Sequence, residues 1–291
     1  MRKALIFGAS GQDGIYLSAL FKSKGFDVIG ISRRSSLGLM GDVGDYSFVR
    51  ELIKDNQPDY IFHLAANSST KHSLLFENHD TISTGTLNIL ESAYKHSPNS
   101  KIFLSGSGLQ FVNNGVPISE SDPFEASSPY SISRIQSVYA ARYFRSLGLK
   151  VYIGYFFNHD SPHRGEKHVN QKIVQAVKRI ASGSKEKIVL YDIGVYKEFS
   201  FAGDIMNAVI RLVENNDIYE AVIGSGKAYS IADWIKICFN YYNMPWDEKI
   251  EQDLSVKREY DILVSNPKTI KALGWKPQVE IQQLAKLMIE N

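Results

Sequence analysis

The sequence predicts an α/β fold, a doubly wound parallel sheet with a smaller C-terminal lobe, on three observations. From Met1 to about Lys150, short apolar runs alternate with helix-length amphipathic segments. Parallel strands demand that order, because each right-handed crossover needs a helix between them. A glycine-rich stretch, "GASGQDG", sits directly between the first apolar run and the first amphipathic segment. After Asn158 the alternation stops, and polar loops and longer helical segments take over.

In order, "ALIFGA" reads as a strand, "GIYLSALFKSKG" as a helix stopped at Gly25, and "DVIGIS" as the next strand. "YSFVRELIKDNQ" then reads as helix and "DYIFHLAA" as strand, "TISTGTLNILESAYKHS" as helix and "SKIFLSGS" as strand. The helix "PYSISRIQSVYAARYFRSLG" and the strand "KVYIGYFF" complete the alternation. The strands are near-continuous apolar runs, as sheets covered on both faces require. Beyond them, helices are expected at "VNQKIVQAVKRIASG", "AGDIMNAVIRLVENN" and "SIADWIKICFNYYN", with short strands near "EKIVLYD" and "EAVIGSG". The expected division is a dinucleotide-binding domain over 1–158 and a substrate lobe over 159–291, interleaved with the last sheet strands. No Pro/Ser-rich linker, internal repeat or low-complexity segment interrupts the chain.

With 291 residues, 44% hydrophobic and 22% charged, the chain has an ordinary globular composition. A net charge of only +2 gives no electrostatic case for nucleic acid or an anionic membrane as partner. The single Cys238 excludes an intramolecular disulfide and fits a reducing compartment. The apolar run after "MRK" is too short for a signal peptide, and no window nears the roughly 20 apolar residues of a membrane span. A cytoplasmic protein is expected.

In "IFGASGQDG", each glycine has a physical reason. Gly8 permits the tight turn, Gly11 lets the backbone approach a pyrophosphate, and Gly14 permits close helix–strand packing. Between them Ser10, Gln12 and Asp13 complete a Rossmann-type phosphate loop, whose helix start offers free N–H groups to the phosphates. The second strand ends "ISRRSS", where an NAD site would place an acid. Arg33 and Arg34 suit a 2′-phosphate instead, which favours NADP, with NAD as the alternative. Asp42 and Val43 of "GDV" are expected at the adenine, and Leu64, Ala65 and Ala66 of "LAA" along the cofactor. Neither His159 nor His163 has metal-ligand spacing, so no metal is expected.

"GASGQDG", "GDV", "LAA" and "PYSISR", in that order, resemble the extended short-chain dehydrogenase/reductase superfamily, the NAD-dependent epimerase/dehydratases. "FFNHDSPHRGEKHVNQKI", "KEFSFAGD" and "LGWKP" narrow the resemblance to GDP-mannose 4,6-dehydratase-like enzymes. That resemblance implies a nucleoside-diphosphate sugar as substrate, GDP-linked, held by Asn158, Arg164, Val169, Lys172 and Lys197. Arg258 and Asp261 are implied on the looser match of "KREYD". It also implies a homodimer through the helices at "TISTGTLNILESAY" and "PYSISRIQSVYAARYF", the loop after "RRSS" being short for the family's tetramer contact.

Tyr130 and Arg134 lie four residues apart and so share one helix face. Tyr130 suits a general base, and a neighbouring cation favours its phenolate. Where the family has lysine this chain has arginine, which supplies the field but not a proton relay. The family carries its elimination chemistry on S-T-S-E-L-Y-G. Set against "SGSGLQF", that pattern puts Gly106 at the catalytic threonine and Gly108 at the glutamate that takes the C5 proton. The bridging hydroxyl is then expected from Ser107, or from Ser105. The expected function is an NAD(P)-dependent oxidoreductase at C4 of a GDP-hexose or GDP-heptose, a 4-dehydrogenase or 4-keto reductase of surface-polysaccharide synthesis. The alternatives are a 4,6-dehydratase or epimerase with relocated residues, and an inactive nucleotide-sugar-binding partner.

Overall fold

The computed structural model describes residues 2–33, 38–256 and 258–291. The first half runs β1 (Lys3–Phe7), α1 (Gln12–Ser23), β2 (Asp27–Ser32), β3 (Leu39–Met40), α2 (Tyr46–Asn56) and β4 (Tyr60–His63). A short α3 (Leu75–Asn78) passes through a π-helical turn (His79–Thr84) into α4 (Gly85–His96). Then come β5 (Lys101–Ser107), α5 (Pro129–Ser146) and β6 (Lys150–Phe156). The single helix expected over 81–97 therefore begins with a wider turn, which the sequence pattern did not mark.

The second half opens with β7 (His159–Asp160), α6 (Val169–Ala181), β8 (Ile188–Leu190), β9 (Tyr196–Glu198) and β10 (Ser200–Phe201). It continues through α7 (Ala202–Glu214), β11 (Glu220–Ile223), β12 (Ala228–Ser230), α8 (Ile231–Tyr241), β13 (Ile250–Gln252) and β14 (Ile262–Leu263). The short α9 (Lys268–Ala272) and the final α10 (Ile281–Glu290) close the chain.

Seven parallel strands form the main sheet in the order β11-β6-β5-β4-β1-β2-β3. Helices cover both faces. On one, Leu5, Ile61, Leu104 and Ile153 pack with residues of α2, α4 and α5. On the other, Ala4, Ile6, Phe62 and Phe103 pack with α1 and α7. The strands alternate between these two cores and are buried on both sides, the physical basis of their unbroken apolar runs. A third core, around Trp234, Cys238 and Phe239, joins α6, α8 and α10 in the lobe. Because β11 lies beside β6 and α7 packs under the sheet, residues after Asn158 complete a layer begun before it. Among the described residues no helix is long and apolar enough to cross a membrane.

All seven strands point the same way, so their carboxyl ends form one edge. The strand order reverses at β1 and β4, and a crevice opens there, where doubly wound sheets bind ligands.

Candidate active site

The loop from β1 into α1 forms the crevice floor. Gly8 has φ +92°, and a Cβ there would stand 2.7 Å from the Ala65 backbone nitrogen. A Cβ at Gly14 would stand 2.3 Å from the Gly8 carbonyl oxygen, so helix and strand approach as only glycine allows. At Gly11 a Cβ would meet nothing closer than the Gly8 oxygen at 3.4 Å. Gly11 faces open crevice and leaves the start of α1 without a side-chain cap. The first amides of that helix are thus left to a ligand, and an anion suits them.

The half of the crevice beside the end of β2, about 280 Å³, takes its walls from Ser10, Ser32, Arg33, Val43 and the Leu64–Ala66 run. Two further hydroxyls on it, Ser32 Oγ and Thr81 Oγ1, are buried without a hydrogen-bond partner among the described residues. A glycine cradle, open helix amides and unpartnered hydroxyls together fit a dinucleotide. Arg33 is present but engaged, its Nη2 lying 3.2 Å from Glu77 Oε1. Arg34 lies outside the described residues. Asp42 is exposed and its carboxylate accepts the Gly44 N–H at 2.9 Å, so it caps a turn and does not line the crevice.

Through Gly8, Gly11, Leu64 and Ala66 the crevice continues into a cleft of about 410 Å³ that holds Tyr130, Arg134, Ser105 and Ser107. Ser128 caps α5 and Pro129 opens it, which fixes Tyr130 and Arg134 one turn apart on the face toward β5. The Arg134 guanidinium is buried, donates through Nη1 to the Ser105 carbonyl and to Ser105 Oγ at 2.9 Å, and lies 5.1 Å from the Tyr130 ring centroid. Burial, and then this cation, push the His63 imidazole down to about 3, so His63 is a neutral packing group. Ser105 Oγ donates to the His63 carbonyl at 3.0 Å while accepting from Arg134, which commits it. Ser107 Oγ accepts the Leu109 N–H at 3.2 Å and keeps its own proton to donate.

The positions of Gly106 and Gly108 revise the expected register. A side chain at 106 would strike the Tyr155 ring at 2.6 Å, and one at 108 the Phe157 ring at 2.8 Å. Neither side chain would point to the cleft. Gly106 lines it with backbone alone, and the side chains that line it here are those of Ser107 and Leu109. The catalytic pattern therefore fits one residue further on, with Ser107 at the threonine, Leu109 at the glutamate and Phe111 at the tyrosine of the pattern.

Of the residues expected to hold substrate, Asn158 and Arg164 line the cleft, and Asn158 Oδ1 is buried without a partner. Arg164 Nε is 3.3 Å from Asp160 Oδ1. Lys197 is buried nearby; burial pulls its ammonium down to about 8, Asp160 offsets part of this and Arg164 adds to it. Val169 begins α6 and does not line the cleft, and Lys172 donates to the Val189 carbonyl at 2.7 Å. Arg258 pairs with Asp192 at 3.1 Å and with Asp261 at 2.6 Å. Asp261 lines a separate chamber of about 540 Å³, which meets the cleft at Leu109 and Leu263.

One linkage was not expected from the sequence. His159 Nε2 lies 2.9 Å from Asp13 Oδ1, and its Nδ1 donates to the Phe157 carbonyl at 2.7 Å. Burial opposes both charges, yet each is held by the other: Asp13 falls below the usual carboxylate range and His159 rises above the usual imidazole range. Gln12 adds bonds to the His159 carbonyl at 3.1 Å and from Ser161 Oγ at 3.0 Å. The glycine loop is thereby fastened to the segment 159–161. Both partners sat in motifs read for other reasons, and nothing in either motif announced that they meet.

Over residues 5–288 the chain matches the family described as GDP-mannose 4,6 dehydratase. It is 31% identical over 320 residues to GDP-mannose 4,6 dehydratase 1 of Arabidopsis thaliana, covering 99% of this chain and 89% of that protein. Its fold matches RMD from Pseudomonas aeruginosa complexed with NADPH, with TM-score 0.88 and 19% identity over 100% of this chain and 98% of that one. It likewise matches Thermus thermophilus UDP-glucose 4-epimerase complexed with NAD, with TM-score 0.85 and 20% identity over 99% of this chain and 98% of that one.

Proposed function

Since the chain belongs to the GDP-mannose 4,6 dehydratase family, whose members are nicotinamide-dependent nucleotide-sugar enzymes, we propose that it oxidises or reduces C4 of a GDP-linked hexose or heptose without eliminating water. The observation that carries this reading is the pairing of Tyr130, Ser107 and Arg134 in the cleft with Leu109 where the elimination base belongs. Among the described residues lining the cleft, Asp13 is the sole carboxylate, and His159 holds it. A leucine takes no proton from C5.

When bound, the nicotinamide supplies the hydride acceptor or donor. The chain supplies the proton chemistry. Tyr130 takes the proton of the C4 hydroxyl, Ser107 orients that hydroxyl, and Arg134 sets its cation beside the Tyr130 ring. Asn158 and Arg164 hold the nucleotide, with Lys197 adding positive charge behind them. Arg33 and Arg34 favour NADP, with NAD as the alternative. The enzyme is proposed to work in the cytoplasm on surface-polysaccharide precursors and as a homodimer, through the side of α4 and α5 that exposes Leu87, Tyr94, Tyr139 and Tyr143.

The relatives' own name keeps the dehydratase as the second reading. Purified protein incubated with GDP-sugars and NAD(P) separates the readings. A change in nicotinamide absorbance with product differing by two hydrogens supports C4 redox chemistry. Loss of one water by mass spectrometry establishes the dehydratase instead. Binding of GDP-sugar with neither change marks a non-catalytic partner.

A further inference from the structure

The adenosine pocket contains a carboxylate that the sequence pattern hides. At the end of β2, where an acidic residue would meet the ribose hydroxyls of NAD, the chain has arginine. Glu77, from α3, lines the same pocket and pairs with Arg33 at 3.2 Å. Both side chains are partly exposed, 40% and 35%, so the pair stands at the pocket mouth and is open to rearrangement. The same pocket carries the Ser32 and Thr81 hydroxyls, which have no partner among the described residues.

We propose that Glu77 is the cofactor-selecting residue of this site, supplying from α3 the ribose-reading carboxylate that β2 lacks. The proposal rests on the reading of the pocket as a nicotinamide-dinucleotide site. Its logic is competition for one guanidinium. A 2′-phosphate must take Arg33 from Glu77 and then sit beside a like charge, which costs affinity. A ribose with free 2′- and 3′-hydroxyls donates to the carboxylate and leaves the ion pair intact. Glu77 thus opposes Arg33 and admits NAD, the alternative cofactor, to a pocket that the arginine alone would reserve for NADP.

Titration of the full-length protein with NADH and with NADPH, followed by nicotinamide fluorescence, reads this without turnover. In Glu77→Gln, NADPH should bind about fivefold more tightly and NADH about fivefold more weakly, the scale of one partly exposed charge pair. Arg33→Gln should weaken NADPH and spare NADH. Glu77→Asp, which keeps the charge on a shorter arm, should fall between wild type and Glu77→Gln. Equal changes for both cofactors in Glu77→Gln, or none, overturn the proposal. Wild-type protein binding neither cofactor fails the dinucleotide reading itself, an outcome distinct from lost selectivity. Unchanged thermal unfolding of each variant confirms that the altered affinities are local.

Discussion

Tyr130 has one polar atom to lose. Tyr130→Phe is therefore expected to cut turnover by roughly 10²–10⁴-fold, the usual worth of general-base help, with GDP and dinucleotide affinity nearly unchanged. Arg134→Lys should retain activity, because lysine keeps the charge and restores a proton relay. Arg134→Met should lower turnover, because the buried guanidinium that binds Ser105 and stands beside the Tyr130 ring is lost. The glycine positions give a sharper test of register. Gly108→Glu should lose about 1–3 kcal/mol of stability in urea unfolding, because its side chain meets the Phe157 ring. Leu109→Glu reaches the cleft, and it is the variant expected to gain water loss from a GDP-sugar by mass spectrometry. A different kind of residue-scale test uses Lys197. Its ammonium titrates near pH 8 as burial dictates, so GDP affinity should decline as pH rises through that value. Calorimetric titration of Lys197→Met should show weaker binding with that pH dependence removed.

The α1 amino end and β7 are far apart in sequence and joined through His159 and Asp13. In His159→Asn the Asp13 carboxylate keeps its burial and loses its partner. The expected cost is up to about 3 kcal/mol in denaturant unfolding, the low end for a broken buried pair because Asp13 retains some water. Dinucleotide affinity should fall as well, since an unpaired carboxylate then faces the pyrophosphate. Elements as such were legible where apolar periodicity was strong. β2 was read at 27–32 as it stands, and α2 and α5 were read to within two residues of their observed ends. The misses have physical causes. α10 is amphipathic but follows a run of short loops, and its apolar face has meaning only against α6 and α8. β7, β9, β10, β12 and β14 are two or three residues long and are specified by partners, not by pattern. Likewise, "SGSGLQF" does not say which of its alternate residues face outward. Only the rings of Tyr155 and Phe157 decide that.

At the scale of the molecule, the exposed aromatic face of α4 and α5 predicts self-association. Tyr139 and Tyr143 are 59% and 60% exposed in the single chain. Sedimentation should report a dimer, and Tyr139→Glu combined with Tyr143→Glu should shift it to monomer. A concentration-independent monomer in the wild type overturns the assembly proposed here.

The order of the sheet also dictates how the chain must be made. β6 pairs on one side with β5, but its other side is covered by β11, which the ribosome adds only after the whole stretch from 157 to 219. Glu220 then fastens the late strand, its carboxylate taking Arg142 at 2.7 Å and the Tyr155 hydroxyl at 2.6 Å. At about 5–20 residues per second, the β6 edge waits several seconds with its amides and carbonyls unpaired. Such an edge is a template for another chain. A fragment ending at residue 158 should be recovered in the pellet, while the full chain, in which β11 covers that edge, should stay in the supernatant. During synthesis, the sticky part of this protein is a finished strand waiting for its neighbour.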